Sequence, residues 1–192
     1  MNLKKNFVLI ISTILFYGLV LSPPCVFPQE PVPEMLRYGA PGVGYGEDLH
    51  PGIDYTIPIG TPILAVSDGI VVIVREPCPD QIYCGGLAVI VKHSDDFFSF
   101  YFHLSKTFVT IGESIKRGER LGLSGKSNGG WRHLHFGLLK NVKEGSGAKF
   151  SQSYNPKNYW LGGKPQCFPP QQDYSKYTVK EITHPVECDA PK

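Results

Sequence analysis

The chain has 192 residues, 42% of them hydrophobic and 12% aromatic, enough for one domain with a buried core. Its formal charge of +2 at pH 7 comes from Lys4 and Lys5. Residues 1–29 hold no other charged side chain, so without them 17 basic residues face 17 acidic ones. That balance argues against a nucleic-acid binder, which carries a basic excess or stripe.

Lys4 and Lys5 precede an almost unbroken apolar run from Phe7 to Leu21, closed by Ser22-Pro23-Pro24. The run is short for a membrane span and has the layout of a secretory signal, so residues 1–29 are expected to direct export. No Ala-x-Ala cleavage site follows, which leaves an uncleaved N-terminal membrane anchor as the alternative. Cys25 directly after the run raises lipidation, although Pro24 stands where bacterial lipoproteins carry a small residue. Residues 30–46 are rich in Pro and Gly, show no periodicity, and read as a linker and lead-in loop.

From Tyr55 to about Leu139 short β-type runs alternate with turn residues. Pro62–Val66 leads into a turn at Ser67-Asp68-Gly69, and Ile70–Val74 follows. Leu87–Lys92 is rich in β-branched residues and Phe98–Phe102 in aromatics, the side chains strands favour. Gly112, Gly118, Gly122 and Gly125 then recur too closely for helices of ordinary length. The expectation is an all-β domain over residues 47–160. Pro165–Lys192 is rich in Pro and polar residues, so residues 161–192 are expected to form a loosely structured tail. Apart from Cys25 the cysteines are Cys78, Cys84, Cys167 and Cys188. Of the three pairings open to four cysteines, proximity along the chain favours Cys78–Cys84 and Cys167–Cys188. A structural zinc site is the rival use of these thiols, but no C-x-x-C pair exists. Disulfides suit an oxidising compartment: periplasm, cell envelope or medium.

Two clusters carry chemistry. In His50-Pro51-Gly52-Ile53-Asp54, Pro51-Gly52 disfavours a helix and bends the backbone, so imidazole and carboxylate can converge from one side of a turn. Both are ordinary zinc ligands. Taken by itself, the cluster reads first as a surface turn with a local His–Asp hydrogen bond. In His133-Leu134-His135-Phe136, strand alternation puts His133 and His135 on one face and Leu134 and Phe136 on the other. A third element, Tyr101-Phe102-His103-Leu104-Ser105, places His103 at the end of an aromatic strand where it can face the same cleft. His93 and His184 read as structural or exposed and receive no role.

The ordered set His-x-Gly-x-Asp, Tyr-x-His-Leu-Ser and His-Leu-His-Phe resembles the lysostaphin-like M23 peptidases, also called LytM-type endopeptidases. Gly60–Gly69, Gly122-Leu123-Ser124-Gly125 and Asn155-Pro156 extend the likeness over residues 47–160. The resemblance implies an antiparallel β core with a groove over a zinc ion held by His50, Asp54 and His135. It implies His103 and His133 as the catalytic histidines, and peptide bonds of peptidoglycan cross-links or stem peptides as the substrate. Two His and one Asp leave a fourth coordination position open, as catalytic zinc sites do. A non-catalytic wall-binding or regulatory module on the same fold is the alternative. The sequence is silent on oligomeric state. Two positions depart from the family: Gly137 stands where many members carry Glu, and Trp131-Arg132 replaces a smaller approach to His133.

Overall fold

The computed structural model describes residues 34–41, 49–76, 85–94, 96–141, 150–165, 167–168 and 172–187. Within them lie ten strands: β1 (Glu34–Leu36), β2 (Ile53–Tyr55), β3 (Pro62–Leu64), β4 (Gly69–Arg75), β5 (Leu87–Ser94), β6 (Phe97–Thr107), β7 (Ser114–Ile115), β8 (Arg120–Lys126), β9 (Arg132–Leu139) and β10 (Ser153–Tyr154). Every pairing between these strands is antiparallel, in the order β1-β2-β9-β8-β6-β5-β4-β7, with β3 added to β8 and β10 to β9. The helical pieces among the described residues are three-residue 3-10 turns. The domain is all-β, and each expected run of β-branched or aromatic residues is a strand.

The sheet buries both faces, and side-chain alternation divides the core between them. Val89, Val91, Tyr101, Leu134, Phe136 and Leu138 enter one cluster, with Ile53 and Tyr55 of β2. The intervening Ala88, Ile90, Phe98, Phe100, Phe102 and Leu139 form a second cluster on the opposite face. Each buried Phe contributes about 2–3 kcal/mol by leaving water. In β9 the residues that alternate onto this second face are His133, His135 and Gly137, so the histidines stand on an aromatic bed.

Strand β6 changes partner along its length. Phe98–Phe102 pair with Leu139–His135 of β9, whereas Leu104–Thr107 pair with Ser124–Gly122 of β8. His103 sits at the changeover with φ +63°, and its N–H donates to the Gly85 carbonyl at 2.9 Å. Gly125 of β8 permits the close approach there: a Cβ on it would lie 2.7 Å from the His103 carbonyl oxygen.

Two expectations are corrected. Residues 34–41 are not a plain linker, because β1 pairs with β2 through Glu34–Tyr55 and Leu36–Asp54. Residues 182–186 are not loose. Ile182 and Val186 are fully buried, Val186 bridges to Ile63, and Thr183 N–H donates to the Val66 carbonyl at 3.0 Å. This irregular segment docks through single backbone hydrogen bonds, which leave no periodic signature in sequence. Cys167 is disulfide-bonded. Cys25, Cys78, Cys84 and Cys188, with the whole of residues 1–29, lie outside the described residues.

Candidate metal centre and active site

The centre is assembled by two adjacent strands and the turn that feeds one of them. Asp54 of β2 is the cross-strand partner of His135 of β9, and Phe102 of β6 is the partner of His135 on its other side. Directly paired residues project to the same face, so carboxylate and imidazole meet. Gly52 brings in His50: a Cβ at position 52 would lie 2.4 Å from the Phe136 carbonyl oxygen and 3.1 Å from the His135 ring, so only glycine passes. His135 Nδ1 is 2.6 Å from Asp54 Oδ1, and His50 Nε2 is 3.2 Å from the same oxygen and 3.0 Å from His135 Nδ1. All three side chains are buried, at 0% (His50), 6% (Asp54) and 1% (His135) exposure.

The donor set fits a cation. The His50 Nδ1–H donates to the Arg37 carbonyl oxygen at 3.0 Å, so its Nε2 presents a lone pair inward. A carboxylate oxygen and a second imidazole nitrogen meet that lone pair, with ligand atoms of all three residues within 4.8 Å of one another. Two imidazoles and a carboxylate in such a cluster are ligand types that zinc, a borderline ion, accepts. Burial by itself would raise the Asp54 carboxyl. The hydrogen bond with His135, with the His50 imidazole beside it, prevails and holds it well below the ordinary carboxylate range. Burial lowers His135, keeping it neutral and able to ligate.

His103 and His133 join the centre. Their rings meet edge-on with centroids 4.6 Å apart, and the His103 ring is 6.0 Å from that of His135. His133 Nδ1–H donates to the Trp131 carbonyl at 3.1 Å, and its Nε2 lies 3.8 Å from Asp54 Oδ2. Burial pushes His103 down to about 3, and its Nδ1 is buried without a hydrogen-bond partner among the described residues. A β-carbon-bearing residue at positive φ costs about 1–3 kcal/mol and recurs at functional sites.

All five predicted residues are thus within one cluster. The other histidines are elsewhere: His93 bonds the Asp68 carbonyl and Ser99 Oγ, and His184 packs on Tyr55 and Trp160. Both are structural, and neither is merely exposed. Sequence reasoning missed the Arg37 and Trp131 carbonyls, because a peptide oxygen has no residue-type signal. It also missed Phe100 and Phe102, whose ring centroids lie 5.0 and 5.7 Å from that of His135. Gly137 has no space for a side chain: its Cβ would meet the Phe100 ring at 2.4 Å and the Pro51 carbonyl oxygen at 2.9 Å.

The sequence profile of Peptidase family M23 matches residues 48–146, just over half of the chain. The chain belongs to peptidase family M23. Among curated relatives of this M23 chain, the peptidoglycan DD-endopeptidase ShyA of Vibrio cholerae is 38% identical over 91 residues, covering 47% of this chain and 20% of ShyA. The chain spans only about a fifth of the length of such relatives. Among solved structures, the catalytic domain of the antimicrobial peptidase lysostaphin from Staphylococcus simulans aligns with a TM-score of 0.56 at 29% identity, covering 65% of this chain and 89% of that domain. A variant catalytic domain of the prophage-encoded M23 protein EnpA from Enterococcus faecalis gives 0.54 at 32% identity, covering 67% and 92%.

Proposed function

We propose that this M23 protein is a zinc endopeptidase that hydrolyses peptide bonds in peptidoglycan cross-links or stem peptides. His50, Asp54 and His135 hold the metal, and His103 and His133 handle protons. The observation that carries the reading is the convergence of His50 Nε2, Asp54 Oδ1 and His135 Nδ1, with two further imidazoles beside them. The DD-endopeptidase activity named for ShyA supports the substrate class.

Bound zinc supplies a Lewis acid that polarises the scissile carbonyl and acidifies water. Asp54, His50 and the neutral His135 would hold that ion within a buried pocket. The Trp131 carbonyl holds the Nδ1 proton of His133, which leaves Nε2 to accept a proton and return it to the leaving amine. His103, desolvated and neutral, lends a second imidazole on the same side for a proton or for the developing oxyanion. Residues 1–29 direct the chain to the cell envelope, residues 47–160 form the catalytic domain, and the cysteines form disulfides there.

Digestion of purified peptidoglycan, with fragments read by mass spectrometry, tests this. The expected result is new amine termini that vanish with chelator and return with zinc. His135→Ala is expected to lose stoichiometric zinc and at least 100-fold in activity. Intact peptidoglycan despite bound zinc would reject the hydrolase reading, and unchanged activity in His135→Ala would reject the ligand set.

A further inference from the structure

Residues 34–41 precede the region that matches the family, yet they touch both halves of the His-x-Gly-x-Asp motif. The Arg37 carbonyl accepts from His50 Nδ1 at 3.0 Å. The His50 backbone is held on both sides: its carbonyl accepts from Gly39 N–H at 2.9 Å, and its own N–H donates to the Ala40 carbonyl at 3.0 Å. Leu36 pairs with Asp54, and Pro41 bridges to Leu49. The segment is in turn pinned from the other end of the chain, by Lys157 Nζ at 3.1 Å from Glu34 Oε2 and by the Ser153 hydroxyl donating to Tyr38 Oη at 3.1 Å. Its path depends on Gly39, which sits at φ +75° in the turn closed by Ala40 N–H to the Arg37 carbonyl.

We infer that residues 34–41 are an outer clamp on the metal ligands, positioning His50 and setting how tightly the centre holds zinc. The inference rests on the reading of His50 as a ligand. A carbonyl on the far nitrogen of a ligating imidazole fixes its tautomer and ring orientation and raises its basicity, and loss of such a partner typically costs 10–100-fold in metal affinity. The clamping group is a peptide oxygen, so the Arg37 side chain, which is exposed, has no part in it. The backbone path is what matters. A β-branched residue at position 39 is disfavoured at positive φ and swings the Arg37 carbonyl away.

The test uses the full chain and three readouts: zinc affinity by competition with a chromogenic chelator, the absorption spectrum of the cobalt-substituted protein, and the melting temperature of the metal-free form. Gly39→Val is expected to lose 10–100-fold in zinc affinity and to shift the cobalt bands, Gly39→Ala to do so by several-fold, and Arg37→Ala to do neither. Gly112→Val is the control, since Gly112 also has positive φ (+89°) in a turn with open space around its Cα. It is expected to lower the melting temperature without moving affinity or spectrum. Should Gly39→Val fail to fold, Gly39→Ala decides. Zinc affinity and cobalt spectrum unchanged in the folded Gly39 variants would overturn the clamp. A wild-type chain that binds no zinc would instead overturn the proposed function on which the clamp rests.

Discussion

His103 shows how a single residue can be stable in one term and costly in another. Its backbone hydrogen bond to Gly85 and its place between two strand partners hold it at φ +63°, where an L-residue is disfavoured by roughly 1–2 kcal/mol. Glycine carries no such penalty. His103→Gly is therefore expected to be about 1 kcal/mol more stable than His103→Ala by chemical denaturation, while both lose activity. Equal stabilities would mean that the left-handed backbone stores no strain. His133 invites a different comparison, because its Nδ1 is committed to the Trp131 carbonyl. pH–rate profiles of His103→Ala and His133→Ala would separate the two imidazoles: the variant that loses the limb on the acidic side has lost the general base.

At the scale of strands and turns, the pairing of β6 with β9 couples Phe100 to Gly137. The Phe100 ring occupies the space a side chain at 137 would need, and it leans on His135 with ring centroids 5.0 Å apart. Gly137→Ala is expected to destabilise by about 1–3 kcal/mol through overpacking. Because a smaller residue at 100 opens that space, Phe100→Leu is expected to relieve part of the penalty. A double-mutant cycle on the two positions should then give a coupling of at least about 1 kcal/mol, and additive losses would refute it. The family-typical Glu at this position would meet the same obstruction, so the departure at Gly137 belongs with Phe100 in packing. Much of this was legible beforehand. Val, Ile and Phe runs marked the strands, and alternation in His133-Leu134-His135-Phe136 put two imidazoles on one face. What was not legible was the backbone: the positive φ of His103, the Arg37 and Trp131 carbonyls, and the docking of residues 34–41. Peptide groups are common to every residue type, and only tertiary context decides where they point.

For the molecule as a whole, segments far apart in sequence close the core. Ile182 and Val186 are fully buried beside β3 and the Trp160 turn, so Ile182→Ala is expected to cost about 2–5 kcal/mol in unfolding free energy. A cost under 0.5 kcal/mol would restore the loose tail that composition suggested. A buried histidine of this segment and one of β5 make stability pH-dependent. Burial holds His184 at about 4, against an ordinary 6.5, and His93 is likewise pushed down to about 4 by burial. Above pH 6.5 both rings are neutral whether folded or not. As pH falls from 6.5 to 4 the unfolded chain takes up protons that these two buried rings refuse, so their contribution to stability declines, by on the order of 3 kcal/mol per ring, and is spent below pH 4. Denaturation of the metal-free protein across that range should show the decline, and His184→Gln, neutral throughout, should make it shallower by one ring's share. An unchanged slope would remove His184 from the account.

The hydrogen bond from the Thr183 hydroxyl to the Val66 carbonyl spans 117 positions of sequence. A nascent chain that has delivered all five clustered histidine and aspartate side chains still lacks the plug over its first strands. Contacts of such separation close late, after the entropy of a long loop has been overcome. The fold around those side chains is complete only once residues 182–186 have been made and have docked on the first strands.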